Sequence, residues 1–421
     1  MKYAQRALDL LPDGDALRRG QATALLGLTS WASGELETAD RVFTDYTSQL
    51  RAAGNLPDAI STTFVVSEVR IAQGRLREAF STLEQFIQFL VERAEPMPPE
   101  AADLYRGLGE LNRERGDLEA AADHLLRATE LGERTGLSDW HHRRCVTQAR
   151  LLQTHGQLEA ALGLLDEAAR LSVRSPLPDV RPIAALKARI WIAQGRFTET
   201  LQWARERGLS IDDAPSYLYE FEQVTLARAL IAQHRKERRV GSISDALGLL
   251  ERLLLAAEAG RRKGSVIEIL VLQALAHKGR GSLVMAHMAL RRALRLAEPE
   301  GFVRLFVDEG PPMAHLLHEA DDRGTVQRYI QRLLTAFRLA APARTGQPDA
   351  QSASVQILSE REREVLHQIA EGLTNRQIAD RLYLSVYTVK AHARNIYEKL
   401  EAKNRTQAVA RARELGVLPR A

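Results

Sequence analysis

Apolar residues in the first 300 positions recur at i, i+3 and i+4 on both sides of regularly placed glycines. The pattern is plainest in "SGELETADRVFTDY" from 33, "QGRLREAFSTLEQF" from 73, "RGDLEAAADHLLRA" from 115, "HGQLEAALGLLDEA" from 155 and "QGRFTETLQWARER" from 194. Gly34, Gly74, Gly116, Gly156 and Gly195 lie 40, 42, 40 and 39 residues apart. Each unit predicts a helix, a glycine turn and a second helix, with glycine supplying the left-handed conformation that ends the first. A small residue about five positions on (Ala39, Ala79, Ala121, Ala161) lets the two helices approach. "GSISDALGLLERLLLAAEAG" from 241 and "GRGSLVMAHMALRRALRLAEPEG" from 279 keep the second-helix pattern. Paired helices at such a period predict an all-α solenoid, elongated and with a concave binding face. "YAQRALDLLP" at the start reads as the second helix of a repeat without its first. The chain is therefore expected to be the C-terminal part of something longer.

The periodicity changes after residue 300. "GFVRLFVDEGPPMAHLLHEA" and a helix near 323–340 extend the array, and 341–356 has a linker's Ala, Pro, Ser, Gln and Gly. From 357 the pattern predicts four short helices. Ser359 with Glu362 and Thr374 with Gln377 are capping boxes. Val365, Leu366 and Ile369 face inward from the first helix, which Gly372 ends; Ile378, Ala379 and Leu382 do so from the second. Ser385 caps the third helix, and Asn404 or Arg405 opens a fourth with Ala408, Val409 and Ala412 apolar. On the third helix Val389, Ala393, Ile396 and Leu400 form one apolar stripe. The opposite face carries Tyr387, Ala391, Arg394 and Asn395, with Lys390 at its edge. A short helix, a tight turn and a second helix with a basic outer face form a helix-turn-helix, whose second helix fits the DNA major groove. Lys and Arg donate to guanine O6 and N7 and neutralise phosphates. Glu398 and Glu401 leave only the first half of that helix suited to a groove.

Charge sharpens this division. The chain holds 58 Lys+Arg and 54 Asp+Glu; 12 and 8 of these fall after position 356, leaving 46 of each before it. The positive excess therefore sits in the last 65 residues, which suits a polyanionic partner. The single cysteine, Cys145, allows no internal disulfide. No apolar run is long enough to span a membrane, and the N-terminus lacks a signal peptide's apolar core, so a cytoplasmic protein is expected.

The exact residues add a resemblance. The segment from Leu358 to Leu418 closely resembles the LuxR-type helix-turn-helix domain. It carries Ser359-Glu360-Arg361-Glu362, Glu371-Gly372, Asn375, Ile378-Ala379, Leu384-Ser385, Thr388-Val389-Lys390, His392, Ile396-Tyr397, Lys399-Leu400 and Arg405-Thr406-Gln407-Ala408 without a gap. The resemblance implies base-edge contacts from Lys390, Ala391 and Arg394. It implies backbone contacts from Thr388, from His392 on the helix flank, from Ser385, and from Asn375 and Arg376 at the start of the second helix. It further implies pairing of two domains on DNA through the fourth helix, at Gln407, Ala408, Val409, Arg411 and Ala412. The repeats resemble tetratricopeptide (TPR) repeats with longer loops; "LGLTSWASGELETADRVF" keeps the Leu-Gly, aromatic, Gly, Ala and Phe landmarks. Repeats, linker and tail together resemble the large ATP-binding LuxR-type regulators, the MalT-like class, whose solenoid lies between an N-terminal ATPase and the DNA-binding domain and can bind an inducer. No G-x-x-x-x-G-K-[ST] phosphate loop occurs, so no cofactor is expected for this chain.

Other clusters yield to plainer readings. His141 and His142 precede Cys145 at helical spacing, but no second ligand pair completes a metal site. "HRKERR" from 234 and "RRK" from 261 read as solvated loops. Trp31, Trp191 and Trp203 read as repeat core. No nucleophile–base pair is visible, so a non-enzyme is expected. The sequence thus reads as a TPR-like α-solenoid over 1–300, its extension over 301–340, a linker over 341–356 and a LuxR-type domain over 357–421. The expected function is a bacterial DNA-binding transcriptional regulator, a homodimer on double-stranded DNA, with RNA polymerase and a small-molecule or protein inducer as further partners. The alternatives are a repeat scaffold with a degenerate DNA-binding domain and a sigma-like factor.

Overall fold

A computed structural model describes residues 2–12, 16–93, 96–134, 139–171, 177–237, 240–320, 325–340, 358, 360–382, 386–400, 402–415 and 417–418. Among them are α-helices and two short 3-10 turns, and no strand. No helix among them is long and apolar enough to cross a membrane. The chain divides into two compact units, Met1–Ala340 and Ala341–Ala421. The expected linker, 341–356, lies outside the described residues.

In the first unit α1 (Lys2–Leu10) packs on α2 (Ala16–Ala32), and helical hairpins follow. α2 pairs with α3 (Leu36–Ala52), α4 (Leu56–Ala72) with α5 (Leu76–Arg93), and α6 (Ala102–Glu114) with α7 (Leu118–Gly132). Next come α8 (Trp140–Thr154) with α9 (Leu158–Arg170) and α10 (Ile183–Ala193) with α11 (Phe197–Glu206). The last hairpins are α12 (Glu220–Glu237) with α13 (Val240–Ala259) and α14 (Lys263–Gly279) with α15 (Leu283–Ala297). The two weaker copies are α13 and α15, each a second helix as the pattern predicts. α16 (Arg304–Val307), α17 (Pro311–Glu319) and α18 (Thr325–Ala340) complete the unit.

The five turn glycines all have φ between 74° and 80°, a region costly for residues with a Cβ. The following residue donates its N–H back across the turn, as Glu35 does to Ser30 O at 2.9 Å and Arg75 to Arg70 O at 2.8 Å. Ala39, Ala79, Ala121 and Ala161 are fully buried, so the spacing reports true helix contacts.

Within this unit the hairpins also meet across the array. Repeats distant in sequence meet, so the superhelix closes on itself. Trp31 Nε1 donates to Tyr217 Oη at 3.0 Å, Val303 N–H to Glu114 O at 2.9 Å, and Arg332 to Arg115 O at 2.8 Å. A Cβ on Gly74 would stand 2.5 Å from Gly264 N, so two hairpins touch there backbone to backbone.

"RRK" from 261 belongs to this closure; Arg261 stays exposed in the turn between α13 and α14, and the solvated reading fails for Arg262. Arg262 is buried, donates to Glu220 Oε2 at 2.6 Å and lies over the Tyr217 ring. Arg261 reaches Glu37 at 2.8 Å, and Lys263 lies 3.6 Å from Glu300. Trp31 and Trp203 are core, whereas Trp191 is half-buried with Lys187 and Arg196 over its ring. His141 is exposed, His142 Nδ1 lies 2.8 Å from Ala168 O, and Cys145 is buried, so the three side chains do not converge.

Candidate nucleic-acid interface

The second unit is built from α19 (Glu360–Ala370), α20 (Asn375–Leu382), α21 (Val386–Lys399) and α22 (Arg405–Glu414). Its core joins Val365, Leu366 and Ile369 of α19 to Ile378 and Ala379 of α20 and to the α21 stripe. Val389 and Ile396 are fully buried, with Ala393 and Leu400 nearly so. This is the stripe that the helical wheel predicts.

Local chemistry sets the helix starts. Gly372, at φ 86°, ends α19. Thr374 N–H donates to Gln377 Oε1 at 2.9 Å, and Gln377 N–H returns to Thr374 Oγ1 at 3.3 Å, which is a complete capping box. Asn404 caps α22 by accepting from Gln407 N–H at 2.9 Å. Ser359, the cap expected for α19, lies outside the described residues.

Several basic side chains of this unit have partners within it. Lys399 donates to Glu362 Oε2 at 2.8 Å, and Glu362 is fully buried, so this pair ties α21 to α19. Arg405 donates to the carbonyls of Ile369, at 3.0 Å, and Leu373, which places a cation at the C-terminal end of α19. Arg381 pairs with Glu371 at 2.7 Å. Lys390 and Arg394 lie exposed one turn apart on α21, away from the buried stripe, with Asn395 half-buried beside them. At the start of α20, Arg376 is exposed and Asn375 half-buried. Ser385 and the side chains of Tyr387, Thr388 and Ala391 lie outside the described residues.

Several of the expected contact residues have buried side chains. His392 is 5% exposed; its place at the edge of the apolar stripe turns the ring inward rather than toward a flank. Ala408 and Ala412 are fully buried in the unit's own core, and Val409, half-buried, packs against it. Gln407 and Arg411 are exposed. The contacts of Lys399 and Arg405 are invisible to a reading of one helix, because their partners lie more than 30 residues away.

Residues 356–412 match the family described as bacterial regulatory proteins, luxR family. Over 445 aligned positions the chain is 24% identical to the HTH-type transcriptional regulator MalT of Vibrio cholerae serotype O1, covering 99% of this chain and 47% of that protein. The chain thus spans about half the length of this curated relative. Among solved structures it is similar to the human IFIT1 dimer with m7Gppp-AAAA, at 16% identity and a TM-score of 0.37 over 99% of this chain and 93% of that one; that likeness is too slight to bear on fold or function. Residues 1–323 match the MalT-like TPR region, and with most of its length in that match the chain belongs to the MalT-like TPR family.

Proposed function

We propose that the chain is a sequence-specific DNA-binding regulator of transcription. The observation that carries this reading is the placement of Lys390 and Arg394, exposed on one side of α21, while the opposite side is buried in a luxR-family unit. In this reading α21 enters the major groove, Lys390 and Arg394 meet base edges, and Asn375 and Arg376 meet the phosphate backbone. Two copies pair on DNA through the exposed side of α22 at Gln407 and Arg411, since one small domain reading a few base pairs binds weakly. RNA polymerase is a further partner. The repeat array is the arm on which a small molecule or a protein acts as inducer. The protein works in the cytoplasm, does no catalysis, and needs no cofactor bound to this chain.

The test uses a site selected by the full chain from random duplexes, a scrambled duplex, and two salt concentrations. Arg394→Ala should cost about 1–3 kcal/mol on the selected site and relax base preference at one position. Scrambled DNA should lose far less. Unchanged affinity and preference would sink this reading of α21. The sensing role is tested by screening the full chain against metabolites and proteins for binding that shifts its DNA affinity. A screen in which nothing bound would favour the array as a scaffold.

A further inference from the structure

The array forms a half-open cavity of about 720 Å³, lined by α10, α12, α14 and the segment 304–312. Its floor is apolar, with Ile192 and Phe197 beside the buried Ile231, Leu272 and Leu275. Its charges do not cancel. Arg304 pairs with Asp308, and Arg228 with Glu309. Arg189 meets Glu268 at 2.8 Å, a carboxylate that Arg228 also reaches at 2.7 Å. Three arginines of the wall therefore face three carboxylates. Arg235 and Lys236 are left over: neither has a hydrogen-bond or ion-pair partner among the described residues, and both are exposed. The Lys236 ammonium lies 5.3 Å from the centre of the Phe197 ring, which places positive charge beside the apolar floor.

We propose that this cavity binds a small organic anion, with a phosphate or carboxylate on Arg235 and Lys236 and an apolar body on the Ile192–Phe197–Leu272 floor. The inference rests on the reading of the array as the sensing arm and names its ligand class. Two unmatched cations favour an anionic group over a neutral one. The apolar floor favours an organic ion over a bare one, because burying that surface adds affinity which inorganic phosphate cannot gain. Desolvation lowers the Arg235 pKa, with no carboxylate opposing the shift. An arriving anion would supply that missing charge.

The full chain is titrated calorimetrically with phenyl phosphate, and with phenol and inorganic phosphate as its two halves. Phenyl phosphate should bind, and each half should bind roughly tenfold or more weakly. The double variant Arg235→Glu/Lys236→Glu should bind phenyl phosphate roughly tenfold or more weakly, with its helical circular dichroism intact. Arg235→Lys should keep most of the affinity, and Ala232→Trp, which fills the cavity, should lose it. The proposal is overturned if phenyl phosphate does not bind, if phenol binds as well, or if charge reversal in a folded variant changes nothing. Should only neutral metabolites or a protein bind the chain, the anion site falls and the sensing role stands. Should no ligand of any kind bind, the sensing role falls with it.

Discussion

Lys399 and Arg394 lie five residues apart on α21 and end in different surroundings. Lys399 neutralises the buried Glu362, whereas Arg394 points away from the core. A carboxylate held out of water is costly without its charged partner. Lys399→Ala should therefore lower the stability of the DNA-binding unit by about 1–3 kcal/mol, while base preference is kept. Thermal unfolding by circular dichroism, read beside duplex binding, separates the two roles. Lost preference with an unchanged melt would make Lys399 a reader of DNA instead. His392 is likewise buried, although Lys390 and Arg394, two residues to either side of it, are exposed.

At the scale of the element, α22 serves two ends. Its inner side gives Ala408 and Ala412 to the core, and its outer side shows Gln407 and Arg411. The Arg411 ion pair with Glu414, at 2.9 Å, is exposed and contributes little to stability. Arg411→Glu should thus change stability by no more than about 0.5 kcal/mol and still weaken binding to a duplex with two half-sites. Binding to a single half-site should be unaffected. Equal affinity on both duplexes, before and after the change, would remove this side of α22 from the dimer. Val409→Asp is the less clean probe. Val409 packs on the core, and a carboxylate there should cost about 1–3 kcal/mol of folding stability before any pairing is lost.

For the first unit as a whole, closure is the decisive feature. Trp31 and Tyr217 are 186 residues apart and joined by one hydrogen bond, with Arg262 over the same tyrosine ring. Tyr217→Phe removes the acceptor and leaves the buried Trp31 N–H without it. The expected cost is about 1–2 kcal/mol, with faster hydrogen exchange near Trp31 and at the start of α12. Unchanged exchange and stability would show that this contact does not hold the closure. The closure also creates the cavity, because α10, α12 and α14 become walls only with the 304–312 segment across them.

The amino-acid sequence by itself determined the hairpins, their glycine turns, the buried alanines and the stripe on α21. These follow from local periodicity and from backbone conformations that only certain residues adopt cheaply. It also located the positive excess in the last 65 residues. The tertiary structure alone decided how the array closes, since small rotations summed over many repeats bring Gly74 to Gly264 and Glu114 to Val303. It decided, too, which charges are spent. "RRK" from 261 looks like a solvated run until Glu37, Glu220 and Glu300 come to it from elsewhere in the chain. A charge's role depends on its partners in space, and periodicity along one helix does not contain them.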